Sequence, residues 1–381
     1  MKREGGAVGG DELVRLDQMA TGGMSRQELS RQVTALLAGK RGRWASVLRR
    51  AAQGEEEGEK TKEEEENDYD DDNDEGERTS GVFFPVRSMG LELERVCGLR
   101  AVKTALLESL LLPRVYPHFF RPSFSPFKRL LLFGPPGTGK SSLVRAIVGR
   151  AFGSDATARF AELSASDFLS SFFGASEARI RSIFAEACVH GLHHGPVVIF
   201  LDEIDSLARS RGQGEDETTR RLKNELLRGL EAAEEAPNVF CLASTNVPWD
   251  LDRAVVRRFE RRLLVPLPDA EARAEIFRTG LRDCGGGMDN SEWLEEAVRQ
   301  SEGYSGSDLN TVCRSAAMVG VRELLERVES MTREERQTAR PRDVTRDDLA
   351  QALRSINRSV DDATIARHEE WAAEFGEREH N

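Results

Sequence analysis

The chain has 381 residues and a formal net charge of −12, and 39% of it is hydrophobic, enough to fill one large core or two to three smaller ones. No stretch is long and apolar enough for a membrane-spanning helix, and the opening MKREGGAVGGDELVR has no apolar segment of a secretory signal. The five cysteines, Cys97, Cys188, Cys241, Cys284 and Cys313, are scattered and form no CxxC, which points to plain thiols in a reducing compartment rather than disulfides or a structural metal.

Residues 1–52 read as a short basic helical region. Ser25-x-x-Glu28 has the form of a capping box, followed by Leu29, Val33, Leu36 and Leu37 at helical spacing. Lys40, Arg41, Arg43, Arg49 and Arg50 then surround Trp44. This is either a solvated helix face or an electrostatic arm for an acidic polymer.

Residues 53–81 hold the acidic tract. Between 55 and 77 lie fifteen Asp and Glu against Lys60 and Lys62, a local charge of −13, so the rest of the chain sums to +1. Such a block buries too little apolar surface to fold and reads as a solvated linker, with a decoy for basic surfaces as the alternative. The basic segment is short and adjoins this tract, which argues against a nucleic-acid partner.

From Val82 the pattern changes to alternating strands and helices. RLLLF (129–133), ARFAEL (158–163), PVVIFLDE (196–203), NVFCLAST (238–245) and RRLLVPLP (261–268) are short, nearly continuous apolar runs. The spacing predicts an α/β domain over 82–268, built on a buried parallel sheet. After Pro268 five helical segments follow, and 269–381 reads as a smaller helical lid with a C-terminal helix. Ser305-x-x-Asp308, Thr345-x-x-Asp348 and Ser359-x-x-Asp362 predict three capped helix starts.

The chemistry concentrates at three strand ends. Gly134-Pro135-Pro136-Gly137-Thr138-Gly139-Lys140-Ser141, followed by Ser142, fits GxxxxGK[ST] between a predicted strand and a predicted helix. Its glycines let backbone N–H groups converge on phosphate oxygens, and the helix start adds positive potential. Lys140 is expected to reach the β- and γ-phosphates of ATP, and the Ser141 hydroxyl to ligate Mg²⁺. The strand VVIFL ends in Asp202-Glu203, where ligands gather in open α/β sheets. Asp202 suits the Mg²⁺ site and Glu203 suits the base that takes a proton from the attacking water. A third strand ends in Thr245-Asn246, whose amide is expected to orient that water. Arg257 and Arg258 on an exposed turn are candidate arginine fingers for a neighbouring subunit.

FGPPGTGKSSL, FLDEIDSLARSRG, RRLKNELL, STNVPWDLD, RRFERRLLVPLP and EGYSGSDL occur in order. In these motifs the stretch from about Val96 to Phe375 resembles the AAA ATPases of the meiotic clade, which includes katanin, spastin, fidgetin and the ESCRT-disassembling vacuolar sorting ATPase. The resemblance implies an ATP-driven hexameric ring. Arg257 and Arg258 match its arginine fingers, Asn246 its sensor, and Gly98 and Gly306 positions flanking the adenine. SSFFGASE matches the first pore loop, which directs Phe172 toward the central channel to grip a peptide and leaves Phe173 either beside it or packed beneath. RSRGQGEDETTRR, with Arg211, matches the second pore loop.

Within the clade, RSINRSVDDATIARHEEWAAEFGE and GYSGSDLNTVCRSAAM are similar to the katanin catalytic subunit, and the segment before the last helices leaves no room for the β-domain inserted in the vacuolar sorting enzymes. This implies a cytoplasmic, cytoskeleton-associated enzyme that severs microtubules by threading acidic tubulin tails, with a further partner in a non-catalytic regulatory subunit. The pore loop departs from katanin: Ser171 and Phe173 flank Phe172 where basic residues are expected, and Ala175 replaces an acid. These departures keep open an ESCRT-filament disassembly enzyme; a microtubule-binding ring with weak hydrolysis is a further alternative, against which the intact Lys140, Glu203, Asn246, Arg257 and Arg258 argue.

Overall fold

A computed structural model describes residues 82–377 apart from 90–92, 116–119, 121–125, 165–174, 210–216, 284–290, 329–330, 332–335 and 337. The capping box at Ser25, the basic region, the acidic tract, Phe172, Phe173, Arg211 and Cys284 lie outside these residues.

The apolar runs form strands whose two faces are both covered. In β2 (Arg129–Phe133), β4 (Val197–Leu201) and β5 (Val239–Thr245) every residue is buried. Side chains alternate across a strand, and the two sets enter different cores. Leu131, Phe133, Ile199, Leu201, Cys241 and Ala243 meet Ile180 and Phe184 of α3 (Ala175–His193) and Leu222, Leu226 and Leu230 of α5 (Glu217–Glu235). Leu130, Leu132, Val198, Phe200, Phe240 and Leu242 meet Leu106 and Leu110 of α1 (Arg100–Val115) and Leu143, Val144 and Ile147 of α2 (Lys140–Phe152). A strand buried on both faces needs no polar alternation.

With β1 (Phe84–Pro85), β3 (Arg159–Leu163) and β6 (Arg261–Leu264), the strands lie in the order β1-β3-β4-β5-β2-β6. All neighbours are parallel except β1, which runs antiparallel to β3 and pairs Phe84 with Phe160. That edge strand was not expected from the pattern; it is two residues long, and Pro85 has no N–H with which to extend the ladder. The connection from β2 to β3 steps over two strands, and the chain then winds back to β5 beside β2. The carboxyl ends of β4, β5 and β2 thus meet at a switch in strand order, where open α/β sheets bind ligands.

The short helices α4 (Asp205–Ala208) and α6 (Arg253–Val256) follow β4 and β5. Beyond β6, α7 (Ala270–Asp283), α8 (Ser291–Gln300), α9 (Gly306–Val328) and α10 (Arg346–Ser355) pack around Phe277, Leu281, Leu294, Leu309, Val312, Leu349 and Leu353. The expected capping boxes form at Ser305 and Thr345. The one expected at Ser359 does not. The last helix, α11 (Asp362–Phe375), is capped instead by Asp361, whose side chain accepts from Thr364 N at 2.8 Å. Ser359 N and Oγ donate to Asp308 of α9, at 3.2 and 2.9 Å, so that hydroxyl is spent on a tertiary contact.

α11 returns to the sheet. Trp371 stands edge-on to Phe133 with ring centroids 4.4 Å apart, Arg262 Nη1 donates to Phe375 O at 3.0 Å, and Arg261 holds Glu377 at 2.6 and 2.7 Å. Among the described residues, no helix is long and apolar enough to cross a membrane.

Candidate active site

The loop leaving β2 is shaped by its glycines. Gly134, Gly137 and Gly139 have φ of 155°, 76° and 87°. A Cβ at Gly134 would lie 2.2 Å from Val265 O, and one at Gly137 2.7 Å from Ser305 Oγ. At Gly139 a Cβ would meet nothing within 4 Å. The first two glycines allow close protein packing, and the third supplies a left-handed turn into α2 beside open space. Pro135 and Thr138 are buried, with Thr138 Oγ1 donating to Pro135 O at 3.0 Å, while Pro136 and Ser142 are exposed.

Lys140, the first residue of α2, is 6% exposed, and its Nζ donates to Gly134 O and Pro135 O at 2.9 and 2.8 Å. Burial pushes its pKa down to about 8, against the opposing pull of Asp202, Asp205 and Glu203. An ammonium held this way has much to gain from anionic oxygens, because part of its hydration is already gone.

The next residue reaches β4. Ser141 Oγ donates to Asp202 Oδ2 at 2.6 Å. Asp202 Oδ1 accepts from Ser244 Oγ and from Glu203 N. Asp202 is therefore fixed from α2 and from β5. Ser141 and Asp202 offer the hard oxygen donors that Mg²⁺ takes.

Glu203 is exposed and has φ of 50°, a left-handed conformation costing a non-glycine residue about 1–3 kcal/mol. Bonds to Ser244 hold it: Glu203 N donates to Ser244 Oγ at 3.4 Å, and Ile204 N to Ser244 O at 3.0 Å. Thr245 Oγ1 donates to Asp205 Oδ1 at 2.7 Å. One residue beyond β5, Asn246 Oδ1 is buried with no hydrogen-bond partner among the described residues. That orphaned acceptor fits a site completed by a ligand or water.

The lid reaches the same loop. Ser307 N donates to Gly137 O at 3.0 Å, and a Cβ on Gly306 would stand 3.3 Å from that oxygen. Gly98, with φ of 64°, presses its turn on α7, where an added Cβ would be 2.7 Å from Ala272 Cβ. Asp308 accepts from Ser305 and Ser359 and is buried. Burial raises its pKa, but these hydrogen bonds outweigh that and leave it below the usual carboxylate value.

The structure therefore brings together Gly134, Gly137, Gly139, Lys140, Ser141, Asp202, Glu203 and Asn246, with Gly306 against the loop. The arginine pair is divided. Arg258 is engaged by Glu231 of α5, whereas Arg257 is exposed. Ser244, Asp205 and His368 are site neighbours with no role in the sequence expectation, and Asp308 was expected only as a helix cap. Ser244 adjoins the quoted Thr245-Asn246 pair, and a hydroxyl beside two strand-end polar residues was the one local signal for it.

Residues 130–267 match the family described as ATPase family associated with various cellular activities (AAA), 294–335 match the AAA+ lid domain, and 326–376 match the Vps4 C terminal oligomerisation domain. The chain is 35% identical over 303 residues to the A-like 1 form of the katanin p60 ATPase-containing subunit of Rattus norvegicus, covering 76% of this chain and 59% of that protein. To the A1 form from Arabidopsis thaliana it is 36% identical over 301 residues, covering 75% and 55%. The chain thus spans little more than half the length of these relatives. A crystal structure of the FIGL-1 AAA domain in complex with ADP superposes with a TM-score of 0.65 at 34% identity, over 78% of this chain and 94% of that one. A structure concerned with katanin self-assembly gives 0.63 at 30% identity, over 77% and 94%.

Proposed function

Because the chain belongs to the AAA ATPase family, we propose that it hydrolyses ATP in a ring of identical subunits and uses the cycle to sever microtubules. The observation that carries the hydrolytic part is the meeting of Lys140, Ser141, Asp202, Glu203 and Asn246 at the carboxyl ends of β2, β4 and β5.

The geometry supports the following assignment of roles. Backbone N–H groups from Gly137 to Ser141 and the start of α2 face the phosphates. Lys140 exchanges its two loop carbonyls for phosphate oxygens. Ser141 and Asp202 would hold Mg²⁺, which when bound offsets phosphate charge. Glu203 takes a proton from water as the water oxygen bonds to the γ-phosphorus, the bond to the β-phosphate oxygen breaks, and ADP leaves with the electron pair. Asn246 Oδ1 accepts a hydrogen bond from that water and orients it. Arg257, exposed at the end of α6, serves the site of a neighbouring subunit. Gly98 and Gly306 close around the adenine from two sides.

Assembly is supported by the match of 326–376 to an oligomerisation domain and by the likeness to a self-assembling katanin. Microtubules are the polymer that the resemblance to katanin implies, with Phe172 and Phe173 in the first pore loop and Arg211 in the second. A cytoplasmic, cytoskeletal location and a regulatory subunit belong to the same proposal. The uncharged flanks Ser171 and Phe173 favour one other reading, an ESCRT filament as substrate.

The test is ATPase rate against protein concentration, with and without stabilised microtubules whose acidic tails are intact or cleaved. Tail-dependent stimulation, lost in Phe172→Ala, supports severing. A cooperative ATPase indifferent to microtubules overturns the substrate and moves it to ESCRT filaments.

A further inference from the structure

His368 lies in the middle of α11, more than a hundred residues beyond Asn246, yet it is 1% exposed. Its Nε2 is 3.0 Å from Asn246 O and its Nδ1 2.8 Å from Thr364 O. Both neighbours are carbonyls, which only accept, and a neutral imidazole has one N–H to give; the tautomer with that proton on Nε2 donates it to the main chain of Asn246. The Thr364 carbonyl stands at the i−4 position, where the helix ladder already uses it. The Asn246 carbonyl lies in the turn that leaves β5.

The contact extends along that turn. The His368 ring stands edge-on to Trp249, with centroids 4.8 Å apart, and the Arg367 guanidinium lies 3.9 Å from the centre of the Trp249 ring. Trp249 belongs to the 3-10 turn Pro248–Asp250, two residues past the Asn246–Val247 step. The other end of α11 is anchored independently, by Trp371 on Phe133 and by Arg262 on Phe375 O. Phe133 is the residue before Gly134. One helix thus rests on both the strand that enters the phosphate loop and the turn that carries Asn246.

We infer that His368 is a positioning residue for hydrolysis: its Nε2–H fixes the main chain of Asn246, so that the buried Oδ1 of Asn246, unpartnered among the described residues, is aimed at the attacking water. The inference rests on the reading of Asn246 given above. In this role α11 sets the hydrolytic step from within its own protomer, independently of any part in assembly. The anchors at Trp371 and Phe375 keep the helix docked when His368 is changed, which makes the role testable.

Two variants of the full chain separate hydrogen bonding from packing. His368→Phe keeps a ring on Trp249 and removes the donor. His368→Gln loses the ring and keeps an N–H within reach of Asn246 O. The readouts are kcat and KM for ATP, measured per assembled ring with assembly followed by sedimentation. His368→Phe is expected to lower kcat about three- to tenfold, the range of one net hydrogen bond, with KM and assembly unchanged. His368→Gln is expected to stay within about twofold of the parent. Parental kcat in the Phe variant, a loss in both variants, an effect on assembly alone, or failure of both to fold overturns the inference. Asn246→Ala is measured beside them. If it hydrolyses ATP normally, the reading of Asn246 itself fails; if it is inactive while His368→Phe is not, only the role of His368 fails.

Discussion

The carboxyl edge of the sheet and the capped helices of the lid use the same polar groups in opposite ways. At the sheet edge Lys140 is buried on two carbonyls, Glu203 has a left-handed backbone, and Asn246 Oδ1 has no partner among the described residues. In the lid, Asp308 accepts from Ser305 and Ser359, and Asp348 accepts from Thr345 and Arg342. One set is held incompletely satisfied, which suits a ligand whose own charges finish the arrangement. The other is saturated, which suits a rigid support packed against the loop. The two regions meet at Gly137, whose carbonyl accepts from Ser307 and whose absent Cβ makes room for Ser305.

The sharpest way to break this contrast is at the open end. Glu203→Gln keeps the shape of the side chain and removes the base, and is expected to lower kcat about 10³-fold, within the range of general base catalysis, while ATP still binds. Phosphate release and nucleotide affinity measured together check it; an unchanged rate rules out the site as assigned. Next is the junction. Gly137→Ala places a methyl against Ser305 at a left-handed φ, which should cost about 1–3 kcal/mol in closing the lid on the loop. A titration with ATP should find affinity weakened about tenfold or more, and affinity equal to the parent would mean that lid and loop are not coupled there.

At the saturated end the effects are smaller. Asp308→Asn retains an acceptor but gives up the charge, so the bonds from Ser305 and Ser359 weaken. A loss of about 1 kcal/mol is expected in thermal or urea melts. The last is an acid effect. Hydrogen bonds from Arg342, with those from Thr345 and against the opposing effect of burial, lower the Asp348 pKa from 3.8 to about 2. A carboxylate with a depressed folded pKa stabilises fully above its unfolded value and loses that contribution as pH falls. Stability should therefore decline between about pH 4 and pH 2, and Asp348→Asn should flatten that part of the profile. A profile identical in the variant would assign the acid loss to other carboxylates.

Much of this arrangement was legible before any coordinates. The five parallel strands showed as apolar runs because both faces of the sheet are covered, and Thr345-x-x-Asp348 announced a helix because a capping box closes within one turn. The phosphate loop was legible for the same local reason. The two-residue β1 was not, since its pairing depends on where β3 lies. Ser359 misled because its hydroxyl had a closer claim in Asp308, fifty-one positions back in the chain. Ser244 and His368 gave no role of their own, since each acts on a residue brought near by the fold.

Residue order was enough to name the strands, the phosphate loop, the Asp202-Glu203 pair and Asn246, because each is a short-range pattern of backbone freedom, polarity or period. Only the packed sheet and lid decided which side chains complete them. Ser141 at the start of α2 meets Asp202 at the end of β4, Ser244 holds the backbone of Glu203, Arg258 turns to Glu231 and leaves Arg257 outward, and His368 comes back to Asn246. These contacts join residues 27 to 122 positions apart. A hydrogen bond depends on distances of a few tenths of an ångström, and sequence spacing carries no such information across elements.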